Sequence, residues 1–161
     1  VIFSSDYENM LSPEELDRVA VHALEQISGI QSFRLTNRIR TNAEISSFIQ
    51  NMMCLPERKK GRHFPHVTVM YANDDREADV LLSDAQHQGY QVILNEAEPA
   101  ICADRLAMVL DQRYFYDRQN YLRSDDRSVR RLFHQLNGAK EELLLVVKQN
   151  EPLYAVLLDL L

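Results

Sequence analysis

The chain has 161 residues, 45% of them hydrophobic, which suits one buried core and is too short for two ordinary domains. Its 24 Asp and Glu outnumber 18 Lys and Arg, a formal charge of -6 at pH 7 and the wrong sign for a module that binds nucleic acid through overall charge. The longest apolar runs, 143–147 and 155–158, fall far short of the roughly 20 residues a membrane-spanning helix needs. No signal-peptide pattern opens the chain, and two cysteines without C-x-x-C spacing argue against a disulfide framework or a thiolate zinc site. These features suit a soluble protein of a reducing cytosol. The start at Val1, without an initiator Met and directly on an apolar segment, reads as a piece cut from a longer chain that forms a single domain over residues 1–161.

Strand-like and helix-like segments alternate, the pattern of a three-layer α/β fold: a mostly parallel sheet with helices on both faces. Residues 1–4 read as strand. Ser12-Pro13-Glu14-Glu15 opens a helix, with Ser12 as cap, Pro13 at the first helical position and Glu15 closing a capping box, and Gly29 stops it. After a short strand at 32–35, Thr41 and Glu44 form a second capping box ahead of Ile45, Phe48, Ile49, Met52 and Met53 at helical spacing.

A polar basic loop spans 56–65, and 67–71 is a β-branched, apolar strand. Asn73 is expected to cap a helix whose first turn carries Asp74, Asp75 and Glu77, with Gly89 ending it and a strand at 90–94. Residues 106–110 form a continuous apolar run ending in Asp111, the mark of a buried parallel strand. A polar, tyrosine-bearing connection leads to a helix at 127–136 with Val129, Leu132, Phe133 and Leu136 on one face. A buried strand at 143–147 and a helix at 151–161 capped by Asn150 complete the chain.

Nucleotide hydrolysis needs a phosphate cradle, a lysine on the β and γ phosphates and a carboxylate pair for magnesium and water. The four glycines include no Gly-x-x-x-x-Gly-Lys-Ser/Thr, and the adjacent acids Asp74-Asp75 and Asp125-Asp126 lie in polar helix starts, where capping accounts for them. His63 and His66 could converge on a turn, but Pro65 favours extended chain and no third ligand is near, which argues against a metal site. His22, His87 and His134 lie on predicted helices, and no nucleophile elbow accompanies them. No catalytic residue is assigned within this chain. Arg34, Arg38, Arg40, Arg58, Lys59, Lys60 and Arg62 fall in one stretch whose only acids are Glu44 and Glu57. This basic region reads either as a partial phosphate footprint or as a solvated loop and helix face.

Four segments occur in a telling order. Leu35-Thr36-Asn37-Arg38-Ile39-Arg40-Thr41 leads into a helix, as in the helicase motif that ends in an arginine directed at a γ-phosphate. Residues 1–11 resemble a strand, aspartate and glutamine motif, with Asn9 in the glutamine position. Residues 100–111 resemble a glycine-x-glutamate-phenylalanine segment leading into a strand, keeping the strand alone. Residues 132–143 resemble the final motif, with Asn137 and Gly138 where threonine and arginine are usual.

Together the segments resemble the C-terminal RecA-like domain of superfamily 1 helicases of the UvrD/Rep type, with degenerate motifs. The resemblance implies a second lobe of a DNA-helicase-like ATPase that lines an interdomain ATP cleft and is inactive alone. ATP and Mg would be cofactors only within a parent chain whose Walker motifs lie upstream. It assigns phosphate sensing to Arg40 and a nucleic-acid face to Arg58, Lys59, Lys60 and Arg62. The implied partners are the upstream ATPase domain of the same protein and single-stranded DNA, with no membrane. On this resemblance, Gly138→Arg is expected to restore some turnover in the parent. Two other readings stay open: a catalytically inactive pseudo-helicase domain serving interaction or regulation, and a small-molecule enzyme on a doubly wound sheet.

Overall fold

The computed structural model describes residues 42–94, 101–124 and 128–161. The expected strands at 1–4 and 32–35, the helix between Ser12 and Gly29, Arg40, the Thr41 cap and Asp125-Asp126 lie outside the described residues.

Helix α1 spans Ala43–Met53 and a 3-10 turn follows at Leu55–Glu57. Strand β1 (Val67–Ala72), helix α2 (Asp75–His87) and strand β2 (Gln91–Ile93) come next, then β3 (Ala103–Leu110). The short strands β4 (Tyr114–Tyr116) and β5 (Leu122–Ser124) pair antiparallel, and α3 (Ser128–Leu136), β6 (Ala139–Lys148) and α4 (Glu151–Leu160) close the chain.

The main sheet has the order β1-β6-β3-β2, and every pairing in it is parallel. Helices pack on both faces, giving three α/β layers. On one face α2 covers the sheet, with Ala78, Leu82 and Ala85 against Ala72, Ala107, Leu144 and Val146. Alternation along β6 sends Leu143, Leu145 and Val147 to the opposite face, where α1, α3 and α4 meet the sheet. All five residues from Leu143 to Val147 are therefore buried, as a strand covered on both sides requires. Each fully buried Leu, Ile or Phe stabilises by roughly 1.5–3 kcal/mol. The α1 contribution is Ile45, Phe48, Ile49, Met52 and Met53, all buried on one stripe.

Two caps differ from the sequence-based expectation. Asn42, the residue after Thr41, has extended backbone, and its side chain accepts the Glu44 N–H at 2.9 Å. Asp74 rather than Asn73 caps α2, accepting the Glu77 N–H at 2.8 Å. The Glu77 carboxylate reaches back to the N–H and the side-chain amide of Asn73, at 2.8 Å each. Both oxygen-bearing neighbours satisfy helix-start donors, but the true cap is the residue where the extended chain turns into the helix. Gly89 ends α2 at φ +88°, and Asn150 caps α4 as expected, accepting the Leu153 N–H.

The tyrosine-bearing connection is not a plain loop. Its turn is built on Asp117, which accepts from the Gln119 and Tyr121 N–H groups and pairs with Arg123 at 2.7 Å, while Asn120 takes φ +62°. Tyr114 and Leu122 are buried beneath this hairpin. Two strands of three residues leave too short a stretch for alternation to register.

Candidate functional site

At the amino ends of the strands, the described parts of two segments quoted for the helicase resemblance, 101–111 and 132–143, meet. Helix α1 runs in the same sense as the strands. Its first turn lies beside the start of β1, where the Glu44 carboxylate is 2.8 Å from His66 Nδ1, and the Leu143 N–H donates to the His66 carbonyl at 2.9 Å. Its last turn reaches the hairpin beyond β3, where the Tyr116 hydroxyl donates to the Met52 carbonyl at 2.8 Å. Helix α1 therefore begins on the amino side of the sheet; Arg40 lies outside the described residues. On the same side the Ala103 N–H donates to the Gly138 carbonyl at 3.0 Å, joining the 100–111 segment to the 132–143 segment.

Gly138 has a steric task there. A Cβ at this position would sit 1.9 Å from the Ile101 carbonyl oxygen and 3.0 Å from the Gln135 carbonyl oxygen. Both obstacles are backbone, so no side chain can be added without moving the start of β3 or the end of α3. The expectation that arginine here would supply a missing catalytic charge is thus corrected: the position is packed shut by the chain itself.

Nearby, Tyr90, Arg105 and Glu142 close on one another. The Tyr90 hydroxyl donates to Glu142 at 2.6 Å, Arg105 pairs with Glu142 at 3.1 Å, and the guanidinium lies 5.8 Å from the Tyr90 ring centre. Burial first, then the Glu142 hydrogen bond and charge, push the Tyr90 hydroxyl up to about 12 against the opposing charge of Arg105. A phenol held protonated against a carboxylate acts here as a strut between β2 and β6.

The basic loop divides in two. Arg58 pairs with Asp159 of α4 at 2.6 Å, and Arg62 donates to the Ser47 hydroxyl of α1 at 2.9 Å. The loop backbone is pinned by the Lys59 N–H donating to the buried Asn51 side chain at 3.0 Å, and Phe64 anchors edge-on against Phe48 with ring centres 5.5 Å apart. Lys59 and Lys60 are exposed, and among the described residues neither ammonium has a partner. The four cations assigned to nucleic acid are therefore unequal: two project to solvent and two are tied to the body, each tie worth about 0–1 kcal/mol at an exposed surface.

A second concentration of charge, not singled out from the sequence, lies at the carboxyl ends of the strands. Lys148 at the end of β6 pairs with Asp75 at the start of α2 at 2.6 Å, and Arg113 pairs with Asp111 after β3 at 3.0 Å. The buried Asn150 amide donates to the Asp111 and Tyr114 carbonyls at 2.9 and 2.8 Å, tying the β3–β4 loop to the cap of α4. Burial alone would raise the Asp111 carboxyl. Its hydrogen bonds to the Arg113 side chain and backbone, then the charges of Arg113 and Lys148, hold it below the ordinary value instead. Asp111 was visible as the end of an apolar run, and its main partner Arg113 is two residues away, whereas Lys148 and Asn150 come from far along the chain.

Among the described residues no group of three or more His, Cys, Asp or Glu could hold a metal ion. Among them, too, no helix is long and apolar enough to cross a membrane. No family model, no curated protein and no solved structure matches this chain.

Proposed function

We propose that this chain is the second RecA-like lobe of a helicase-like ATPase, lending charge to a nucleotide held by another lobe and inactive by itself. The supporting observation is the meeting of the Ile101–Ala103 and Asn137–Ala139 segments on the edge of the sheet where α1 begins. Two stretches widely separated in sequence, both quoted for the same resemblance, lie on one edge of a three-layer α/β fold. An arginine leading into a helix start on that edge could offer bidentate charge to an anion across a cleft. In this reading the basic loop, chiefly Lys59 and Lys60, faces single-stranded nucleic acid.

The closed position at Gly138 favours a second version of the reading, a pseudo-helicase lobe kept for interaction or regulation. The arginine the family carries there is an electrostatic contributor to phosphoryl transfer, and this chain has neither the residue nor the room.

The experiment is steady-state ATP turnover by the parent protein carrying this chain, wild type against Arg40→Ala. An arginine acting on the transition-state charge is worth roughly 10³–10⁵ in rate. A fall of that order with unchanged folding supports the motor lobe. Turnover that is present and unaffected removes Arg40 from the site. A parent that binds ATP without hydrolysing it supports the pseudo-helicase version.

A further inference from the structure

The carboxyl edge of the sheet holds a cleft of about 150 Å³ that the helicase reading does not use. Crevices outside the carboxyl ends of parallel strands are the usual ligand positions of open α/β sheets, because the strand-to-helix turns there leave space between successive crossovers. Here the cleft lies between the first turns of α2 and the carboxyl ends of β2, β3 and β6.

The walls carry five charged side chains: Asp75, Asp79, Asp111, Arg113 and Lys148. Asp75 is matched by Lys148 and Asp111 by Arg113, which leaves Asp79, one helical turn beyond Asp75. Asp79 has no ion pair or hydrogen bond among the described residues. Among the described residues the lining thus carries one more acid than bases. The rest of the lining is apolar. Leu82 closes the floor, and Leu94, 67% exposed at the end of β2, offers an uncovered aliphatic wall.

We infer that this cleft binds a single cationic head group, guanidinium or ammonium, on a short aliphatic stem. The head group would lie on the Asp79 carboxylate and the stem along Leu82 and Leu94, in the manner of an amphipathic side chain with a charged tip and an apolar shaft. An anion is disfavoured because both cations already face carboxylates. The assignment does not depend on the helicase reading, because it rests on the opposite edge of the sheet.

The test is amide chemical-shift titration of the 161-residue chain with n-butylguanidinium, using butyrate and n-butanol as charge and stem controls. Saturable millimolar shifts at Asp79, Leu94 and Asp111 are expected with the guanidinium alone. Asp79→Asn, an exposed substitution whose unchanged spectrum elsewhere checks the fold, should weaken binding about tenfold or more, the worth of one charge-assisted contact. Equal shifts from butyrate or butanol, no saturation, or undiminished binding by Asp79→Asn would overturn the assignment. An arginine-containing tetrapeptide then separates the sources: matching shifts identify the ligand as a partner's side chain, and binding of n-butylguanidinium alone identifies a free small cation.

Discussion

The carbonyl oxygen of Ile101 occupies the space that a Cβ on Gly138 would need, at a separation of 1.9 Å. This contact joins the approach to β3 with the turn between α3 and β6, and the adjacent Ala103-to-Gly138 hydrogen bond locks it. Gly138 is needed for close approach of two backbones, a role of glycine separate from its tolerance of left-handed conformation.

Gly138→Ala is therefore expected to destabilise the fold by about 1–3 kcal/mol, the range for forcing atoms into a packed site. Urea unfolding midpoints at constant m-value measure it. Gly138→Arg should be at least as damaging and should not restore turnover in the parent. A Gly138→Ala protein as stable as wild type would mean that the two segments separate easily, and would weaken the steric account of the missing arginine.

Asp111 sets a dependence on acid. Its carboxyl is held below the ordinary 3.8 by Arg113 and Lys148 in spite of burial, so the folded state binds its proton less readily than the unfolded chain. The stability this contributes is fully present above the unfolded value. It is lost as pH falls through the folded one. Burial alone would raise the Asp117 carboxyl, but its hydrogen bonds to Tyr121, Arg123 and Gln119 hold it below the ordinary value, so it acts in the same window. Stability followed by urea unfolding from about pH 5 to about pH 2 should decline less steeply in Asp111→Asn than in wild type, with the Asp117 share remaining. An identical slope in the variant would show that Asp111 titrates alike in both states.

The basic loop makes a prediction about salt. If Lys59 and Lys60 contact phosphates, changing both to Gln should lower the slope of log affinity against log salt for single-stranded DNA by about 1.4, at roughly 0.7 per contact. Arg58→Gln and Arg62→Gln should change it less, because Asp159 and Ser47 already engage those side chains. A slope untouched by the lysine pair, or no binding at low salt, would favour the solvated-loop reading. Fluorescence anisotropy across a salt series provides the measurement.

Much of the local structure is legible in the residue pattern because its causes lie within a few residues. The stripe of Ile45, Phe48, Ile49, Met52 and Met53, the glycine that ends α2, the Asn150 cap and the apolar heart of β6 all follow from helical period, backbone freedom and hydrophobic run. The choice of Asn42 over Thr41 and of Asp74 over Asn73 does not follow, since adjacent side chains of similar capping ability differ only in where the incoming chain bends. The hairpin of β4 and β5 escapes as well, because its pairing depends on the Asp117 turn and on the bodies beneath Tyr114 and Leu122.

By itself the sequence determined an α/β alternation, the buried strands and the candidates for charge chemistry, including the basic loop. Only the tertiary structure decided which of those charges are engaged, that Gly138 is sealed by Ile101, and that Asp75, Asp79, Asp111 and Lys148 share one cleft. The physical reason is range. Periodicity and capping act over one or two turns, whereas the order β1-β6-β3-β2 brings together residues more than seventy positions apart through parallel pairing that no local pattern encodes.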